Sequence, residues 1–272
     1  MSRAVEESLE ASSHVLELRG VTKRFGGITA CKDITFSLAK GRIMGLIGPN
    51  GAGKTTAFNL ITGVYGVSEG HIDLGGTTLT GLRPDRIVRL GVARTFQNIR
   101  LFRNLSALEN VIIALDCHET YRLGSSFLRL PVVRRRERAM REEARFYLAA
   151  VGLEDKADTR ADAMPYGLQR KLEIARALAL KPRLLLLDEP AAGMNPEESQ
   201  DLAKLVRQVH DQFQLTTLLI EHHMDVVMTL CERIFVMNFG EKLAEGTAEE
   251  VQRDPDVLKA YLGEGFKRVK HS

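Results

Sequence analysis

The sequence predicts an α/β protein built around a mostly parallel sheet, and three observations carry that prediction. Short, continuously apolar runs recur at residues 42–48, 184–188, 215–221 and 234–237, as strands buried on both faces require. Helical stretches separate them, and strands alternating with helices favour parallel pairing. The first run leads directly into a glycine-rich segment, Gly48 to Thr55, where a strand turns into a helix.

Composition sets wide bounds. The chain has 272 residues, 44% hydrophobic, with Lys+Arg 38 against Asp+Glu 35 and a formal charge of +3. That length allows one large domain or two small ones around a real core. The charge is too mild to argue by itself for nucleic acid or a membrane surface. An aromatic fraction of 6% without Trp does not suggest a sugar- or base-stacking platform. Cys31, Cys117 and Cys231 are far apart, neither a metal cluster nor a disulfide framework, which fits a reducing compartment. No apolar run approaches the roughly 20 residues that span a bilayer, and residues 1–13 lack the apolar core of a signal peptide. Composition therefore predicts a soluble, intracellular globular protein.

Taken in chain order, residues 1–13 read as a disordered lead-in. From residue 14 to 38 apolar and polar positions alternate (Val15, Leu16, Leu18, then Ile34, Phe36, Leu38), broken at Phe25-Gly26-Gly27. That is the pattern of half-buried antiparallel strands around a turn. After the first buried run, a helix begins at Lys54. Residues 105–162 are almost purely helical in pattern, with Met140, Ala144, Tyr147, Leu148 and Val151 on one stripe, and read as a helical subdomain inserted between the core segments 14–104 and 163–246. Its basic run, Arg134 to Arg138, reads as a solvated helix face or as a surface for acidic lipid or a partner. A helix after Gly167 places Leu168, Leu172, Ala175 and Leu178 on one face, with Gln169, Arg170 and Lys171 outward. Another starts at Asn195-Pro196-Glu197-Glu198, an N-cap, an N1 proline and an N3 glutamate. Residues 247–272 read as a docked helical tail with a frayed end.

Two elements carry chemistry. In Gly48-Pro49-Asn50-Gly51-Ala52-Gly53-Lys54-Thr55, the glycines let successive backbone N–H groups turn onto phosphate oxygens, and the following helix aims its dipole there. Lys54 reaches the β- and γ-phosphates and the Thr55 hydroxyl ligates Mg²⁺, with Thr56 beside them. At the end of Leu184-Leu185-Leu186-Leu187-Asp188-Glu189, two carboxylates emerge where ligands sit in open α/β sheets. Asp188 would hold Mg²⁺ and Glu189 would polarise an attacking water. Together they predict a P-loop NTPase (RecA-like) core that binds ATP with Mg²⁺.

With these motifs in this order, the chain from about residue 15 to 263 resembles the ATP-binding subunits of ABC transporters. By that resemblance Gln97, in Ala93-Arg94-Thr95-Phe96-Gln97-Asn98, is the glutamine-loop residue that meets Mg²⁺ and water. His222 is the switch histidine that reaches the γ-phosphate and holds Glu189 and water in line. Phe25 falls where the family places an aromatic against adenine, although a turn or core Phe is the competing reading. The family works as a head-to-tail dimer, each nucleotide lying between one phosphate loop and the partner's signature segment. Here that segment departs from Leu-Ser-Gly-Gly-Gln: Met164-Pro165-Tyr166-Gly167-Leu168 lacks the serine, and Pro165 has no N–H to donate. Tyr166 and Gly167 keep the nucleotide-binding role by position, and a heterodimer with a better signature is one expectation.

Ala191-Ala192-Gly193-Met194-Asn195-Pro196, Leu172 to Arg176, and the tail from Asp254 to Gly263 are similar to the high-affinity branched-chain amino acid uptake branch. The resemblance implies an ATPase on the cytoplasmic face of the plasma (inner) membrane. It would be held by two permease subunits and paired with a second cassette. A periplasmic substrate-binding protein would be an indirect partner, and nucleic acid would not be one. Residues 99–105, with Leu101 and Phe102 as apolar anchors, would receive a permease helix. Lipopolysaccharide-export cassettes share the Tyr261-Leu262-Gly263-Glu264 ending, so export is the alternative. A soluble ATPase acting on nucleic acid or ribosomes is the more distant one.

Overall fold

The computed structural model describes residues 14–117 and 131–261, with side chains of the second segment from residue 135 onward. The lead-in at residues 1–13, the side chain of Arg134 and the last residues of the tail lie outside the described residues.

Two sheets form the frame. One is antiparallel, in the order β2-β1-β4-β5, from β1 (His14–Phe25), β2 (Ile28–Ala39), β4 (Glu69–Leu74) and β5 (Thr77–Thr78). The other runs β10-β9-β3-β8-β7-β6, from β3 (Ile43–Ile47), β6 (Val92–Arg94), β7 (Leu184–Asp188), β8 (Thr217–Ile220), β9 (Arg233–Asn238) and β10 (Glu241–Gly246). All its pairings are parallel except β9 with β10. The mixed α/β architecture is the one the apolar runs predict. Sequence reasoning did not find β4, β5, β6 or β10, which are short or carry few apolar residues.

The parallel strands are continuously apolar because both faces are covered. Side chains alternate across a strand. Leu185 and Leu187 of β7 therefore join a core on the helical side, while Leu184 and Leu186 join a second core between the two sheets. The second core takes one face of α1 (Lys54–Ile61), through Ala57, Phe58, Leu60 and Ile61.

The helical-side core holds α3 (Ala107–Asp116), α4 (Pro131–Ala150) and α5 (Tyr166–Ala179), along with α6 (Pro196–Phe213) and α7 (Met224–Leu230). The short α2 (Pro84–Arg89) precedes β6, and α8 (Ala248–Arg253) and the helical residues 255–261 follow β10. Ser106 with Glu109 caps α3, and Asn195 with Glu198 caps α6, each as a reciprocal capping box. Ala144, Tyr147, Leu148 and Val151 are buried and Met140 packs against them, while residues 135–139 face mostly outward.

On α6, buried His210 lies with Nδ1 3.4 Å from the Thr217 hydroxyl. Burial pushes its pKa below the ordinary 6.5; Arg207 acts the same way, while the Gly41 backbone, Asp211 and Glu232 act against it. The folded state thus binds this proton less readily than the unfolded chain. The sign follows: stability is full above 6.5 and declines as pH falls toward the lowered pKa. The urea midpoint should drop between pH 7.5 and 5.5, and His210→Asn should drop less over the same interval. Equal drops in both would refute this assignment.

Candidate functional site

The phosphate loop, Gln97, Asp188, Glu189 and His222 gather at the carboxyl ends of four parallel strands, where open α/β sheets bind ligands. Gly48 follows β3, Gln97 follows β6, Asp188 ends β7 with Glu189 next, and His222 follows β8. A cavity of about 400 Å³ opens there, lined by residues 50–56 of the phosphate loop with Glu189 and His222. Ile28, Thr29, Ala30, Phe239 and Gly240 complete its lining.

The phosphate loop needs its glycines for space as well as φ. A Cβ on Gly48 (φ +149) would sit 2.1 Å from the Met237 carbonyl oxygen. One on Gly53 (φ +101) would sit 2.5 Å from that of Ala30. Gly51, by contrast, has nothing within 4 Å of an added Cβ and faces open space. Lys54 is 5% exposed, and its ammonium donates to the carbonyls of Gly48 (2.6 Å) and Pro49 (2.9 Å). The loop is thus wrapped around a buried cation at a helix N-terminus, a site for polyphosphate.

Glu189 sits at the centre of the chemistry. Its carboxylate accepts from Gln97 Nε2 at 2.7 Å and from His222 Nε2 at 2.6 Å. The Glu189 backbone is left-handed, φ +47, an uncommon conformation for a non-glycine residue. Its N–H is pinned to the Ile220 carbonyl at 2.8 Å. Glu221, 1% exposed, holds the neighbourhood together. One of its oxygens accepts from the Ala191 N–H and the other from the N–H groups of His222 and His223. The two histidine rings part ways: His222 turns to Glu189 and His223 to Glu221 at 3.3 Å.

Asp188 is engaged by a residue the sequence reading left without a role. Arg94 donates to its Oδ2 at 2.6 Å, both side chains being almost fully buried. The same guanidinium donates to Asn59 of α1 at 2.8 Å and lies over the Phe58 and Phe96 rings. The donors proposed for Mg²⁺ are the Thr55 hydroxyl, the Gln97 amide oxygen and the Asp188 carboxylate. All three are oxygens, as that hard cation requires, and Thr55 is exposed to the cavity.

The ABC transporter family model matches residues 31–192, and that for the branched-chain amino acid ATP-binding cassette transporter matches residues 241–267. The chain belongs to the ABC transporter family, as an ATP-binding cassette. It is 44% identical over 253 residues to the high-affinity branched-chain amino acid transport ATP-binding protein BraF of Pseudomonas aeruginosa, covering 93% of this chain and 99% of the relative. The corresponding LivG of Escherichia coli is 43% identical with the same coverage. The lipopolysaccharide export ATP-binding protein LptB of Acidithiobacillus ferridurans is 32% identical over 94% of this chain and 99% of that one. The crystal structure of the ADP conformation of MJ1267, an ATP-binding cassette of an ABC transporter, superposes with a TM-score of 0.80 at 30% identity. It covers 92% of this chain and 99% of that one. Membership of this family carries ATP binding and ATP hydrolysis coupled to transport.

In this cassette, Tyr166 and Gly167 open α5 and are absent from the cavity that holds the chain's own phosphate loop. The Tyr166 hydroxyl donates to the Ala192 carbonyl at 3.0 Å and accepts from Arg170 at 2.9 Å. Arg170 corrects the sequence reading: it points inward and is 0% exposed, because α5 packs against α3 and α4 as well as β6. From there it donates to the carbonyls of Phe96 (2.7 Å) and Gln97 (2.8 Å) and to Glu173 (2.6 Å). Glu173 in turn accepts from the Phe96 N–H, and burial pushes its carboxyl pKa up despite Arg170. Tyr166, Arg170 and Glu173 share one helix face at i, i+4 and i+7, and that spacing was the available signal.

Phe25 is not among the cavity's lining residues. Its ring meets Tyr65 edge-on at 5.0 Å, with Lys23 Nζ 4.8 Å from its centroid. At the expected groove, Phe102 is 46% exposed with Arg176 over its ring, whereas Leu101 is partly buried against the core. Asn110, fully buried, fixes the segment by bonding both the N–H and the carbonyl of Phe102. Phe102 is therefore the more exposed of the two.

Proposed function

We propose that this cassette powers an importer of branched-chain or related amino acids by ATP-driven closing and opening of a cassette dimer. The observation that carries the reading is end-to-end similarity at 43–44% identity to cassettes named for that transport, with a tail matching the same branch. The export cassette stands further away at 32%. The seat is the cytoplasmic face of the inner membrane, against two permease subunits, with a periplasmic substrate-binding protein as indirect partner. Among the described residues no helix is long and apolar enough to cross a membrane, so the permeases provide the attachment.

In this reading the phosphate loop and Lys54 hold the β- and γ-phosphates, and Thr55, Gln97 and Asp188 would hold Mg²⁺, which when bound would supply charge neutralisation for the transferred phosphoryl group. Glu189 orients the attacking water and accepts its proton. His222 moves from the carboxylate it now bonds to the γ-phosphate as the site closes. Tyr166 and Gly167 offer the N-terminus of α5 to the nucleotide on the second cassette, using backbone groups in place of the missing serine hydroxyl. The weaker signature favours a heterodimer. ATP turnover should rise severalfold when a second cassette encoded with the permeases is co-expressed. Equal and substantial turnover by this chain alone would remove the heterodimer.

A further inference from the structure

The turn between β9 and β10 breaks a local rule without any gain inside the fold. Asn238 pairs with Glu241, leaving Phe239 and Gly240 as a two-residue hairpin turn with φ +47 and +82. Both central residues of such a turn need positive φ, which is why Asn-Gly dominates there. A bulky phenyl group at the first of them is a conformational outlier. Nor does burial compensate: Phe239 is 85% exposed. A strained residue persists where its surroundings over-determine it, and such residues cluster at ligand clamps.

The surroundings here are rigid. The Gly240 N–H donates to the Ala52 carbonyl of the phosphate loop at 3.0 Å, and its carbonyl accepts from the Lys32 N–H of β2 at 2.7 Å. Lys32 and Glu241 add an ion pair at 2.7 Å. The turn is therefore bolted to the loop that takes the phosphates, with Phe239 on the wall of the same cavity. The lining of that cavity also includes Ile28, itself 72% exposed. Two large apolar side chains beside a phosphate site match the other half of a nucleotide, an aromatic base on a sugar.

We propose that Phe239, backed by Ile28, is a contact for the nucleoside moiety of the bound nucleotide. This rests on the reading of the cavity as the ATP site. Phe25 pairs with Ile28 across the β1–β2 turn, and its ring is engaged by Tyr65 and Lys23.

The test uses the full chain and two probes, ADP and inorganic tripolyphosphate, titrated into wild type, Phe239→Asn and Phe239→Tyr. ADP isolates the chain's own site, since it lacks the γ-phosphate that the partner's signature segment would engage. Asparagine suits positive φ, so the Phe239→Asn thermal midpoint should rise by about 2–4 °C. Its ADP affinity should fall on the order of tenfold, the scale of one lost base–aromatic stack. Tripolyphosphate affinity should not change, and Phe239→Tyr should bind ADP as wild type does. Unchanged ADP affinity in Phe239→Asn would overturn the proposal. So would an equal loss for both probes, which would place the effect on the phosphate loop. If wild type itself binds tripolyphosphate but not ADP, the ATP-site reading fails first.

Discussion

Glu189→Gln should lower ATP turnover by about 10²–10⁴-fold, the usual contribution of a positioned general base, while leaving ATP binding intact. The substitution keeps size and the ability to accept one hydrogen bond. The His222 Nε2 contact, 2.6 Å in the native site, can persist at the amide oxygen. What disappears is the capacity to take a proton from water. Because hydrolysis reopens the dimer in this mechanism, the variant should accumulate closed cassette pairs with ATP, visible as a shift to dimer in size-exclusion chromatography. Undiminished turnover would remove Glu189 from the role of base.

Arg170→Met should have the largest effect on stability. The guanidinium is fully buried against Glu173, itself 6% exposed. Removing one partner of such a pair leaves an uncompensated charge, at a cost of about 3–5 kcal/mol. The double variant Arg170→Met with Glu173→Leu should recover most of that loss, since an apolar pair can replace a buried ionic one. Turnover should not recover with it. Arg170 also donates to the Phe96 and Gln97 carbonyls and to Tyr166, whose hydroxyl reaches the Ala192 carbonyl. The α5 N-terminus, the glutamine loop and the loop after Glu189 therefore share one arginine. A double variant that regains stability with a lowered kcat and an unchanged KM for ATP would show Arg170 to be a positioning residue. Full recovery of kcat would show it to be structural only.

The chemistry was legible in the sequence where it depends on short local patterns. Gly48 to Thr55, and the apolar run ending in Asp188-Glu189, announce themselves because a phosphate loop and a doubly buried strand each leave a contiguous mark. Asn195 with Glu198 announced a helix start for the same reason. Illegible were residues whose role depends on what packs over them. Arg94 and Arg170 look like solvated charges along the chain and become buried only once β6 and α5 meet their neighbours. Glu221 resembles any acidic residue at a strand end, yet it ties the loops carrying Ala191 and His222. Strands β4, β5, β6 and β10 escaped because a strand of two or three residues, or one with at most two buried apolar side chains, has no period to detect.

The composition that predicted a soluble protein and the proposed place beside permeases are compatible: no helix among the described residues is long and apolar enough to cross a membrane, and a cassette can work at one through its partners. The most direct measurement is ATP hydrolysis by this cassette reconstituted in liposomes with its permeases, second cassette and binding protein. Leucine, isoleucine or valine should stimulate turnover severalfold and drive uptake, and Glu189→Gln should abolish both. Turnover indifferent to every amino acid, with transport running outward instead, would contradict the account.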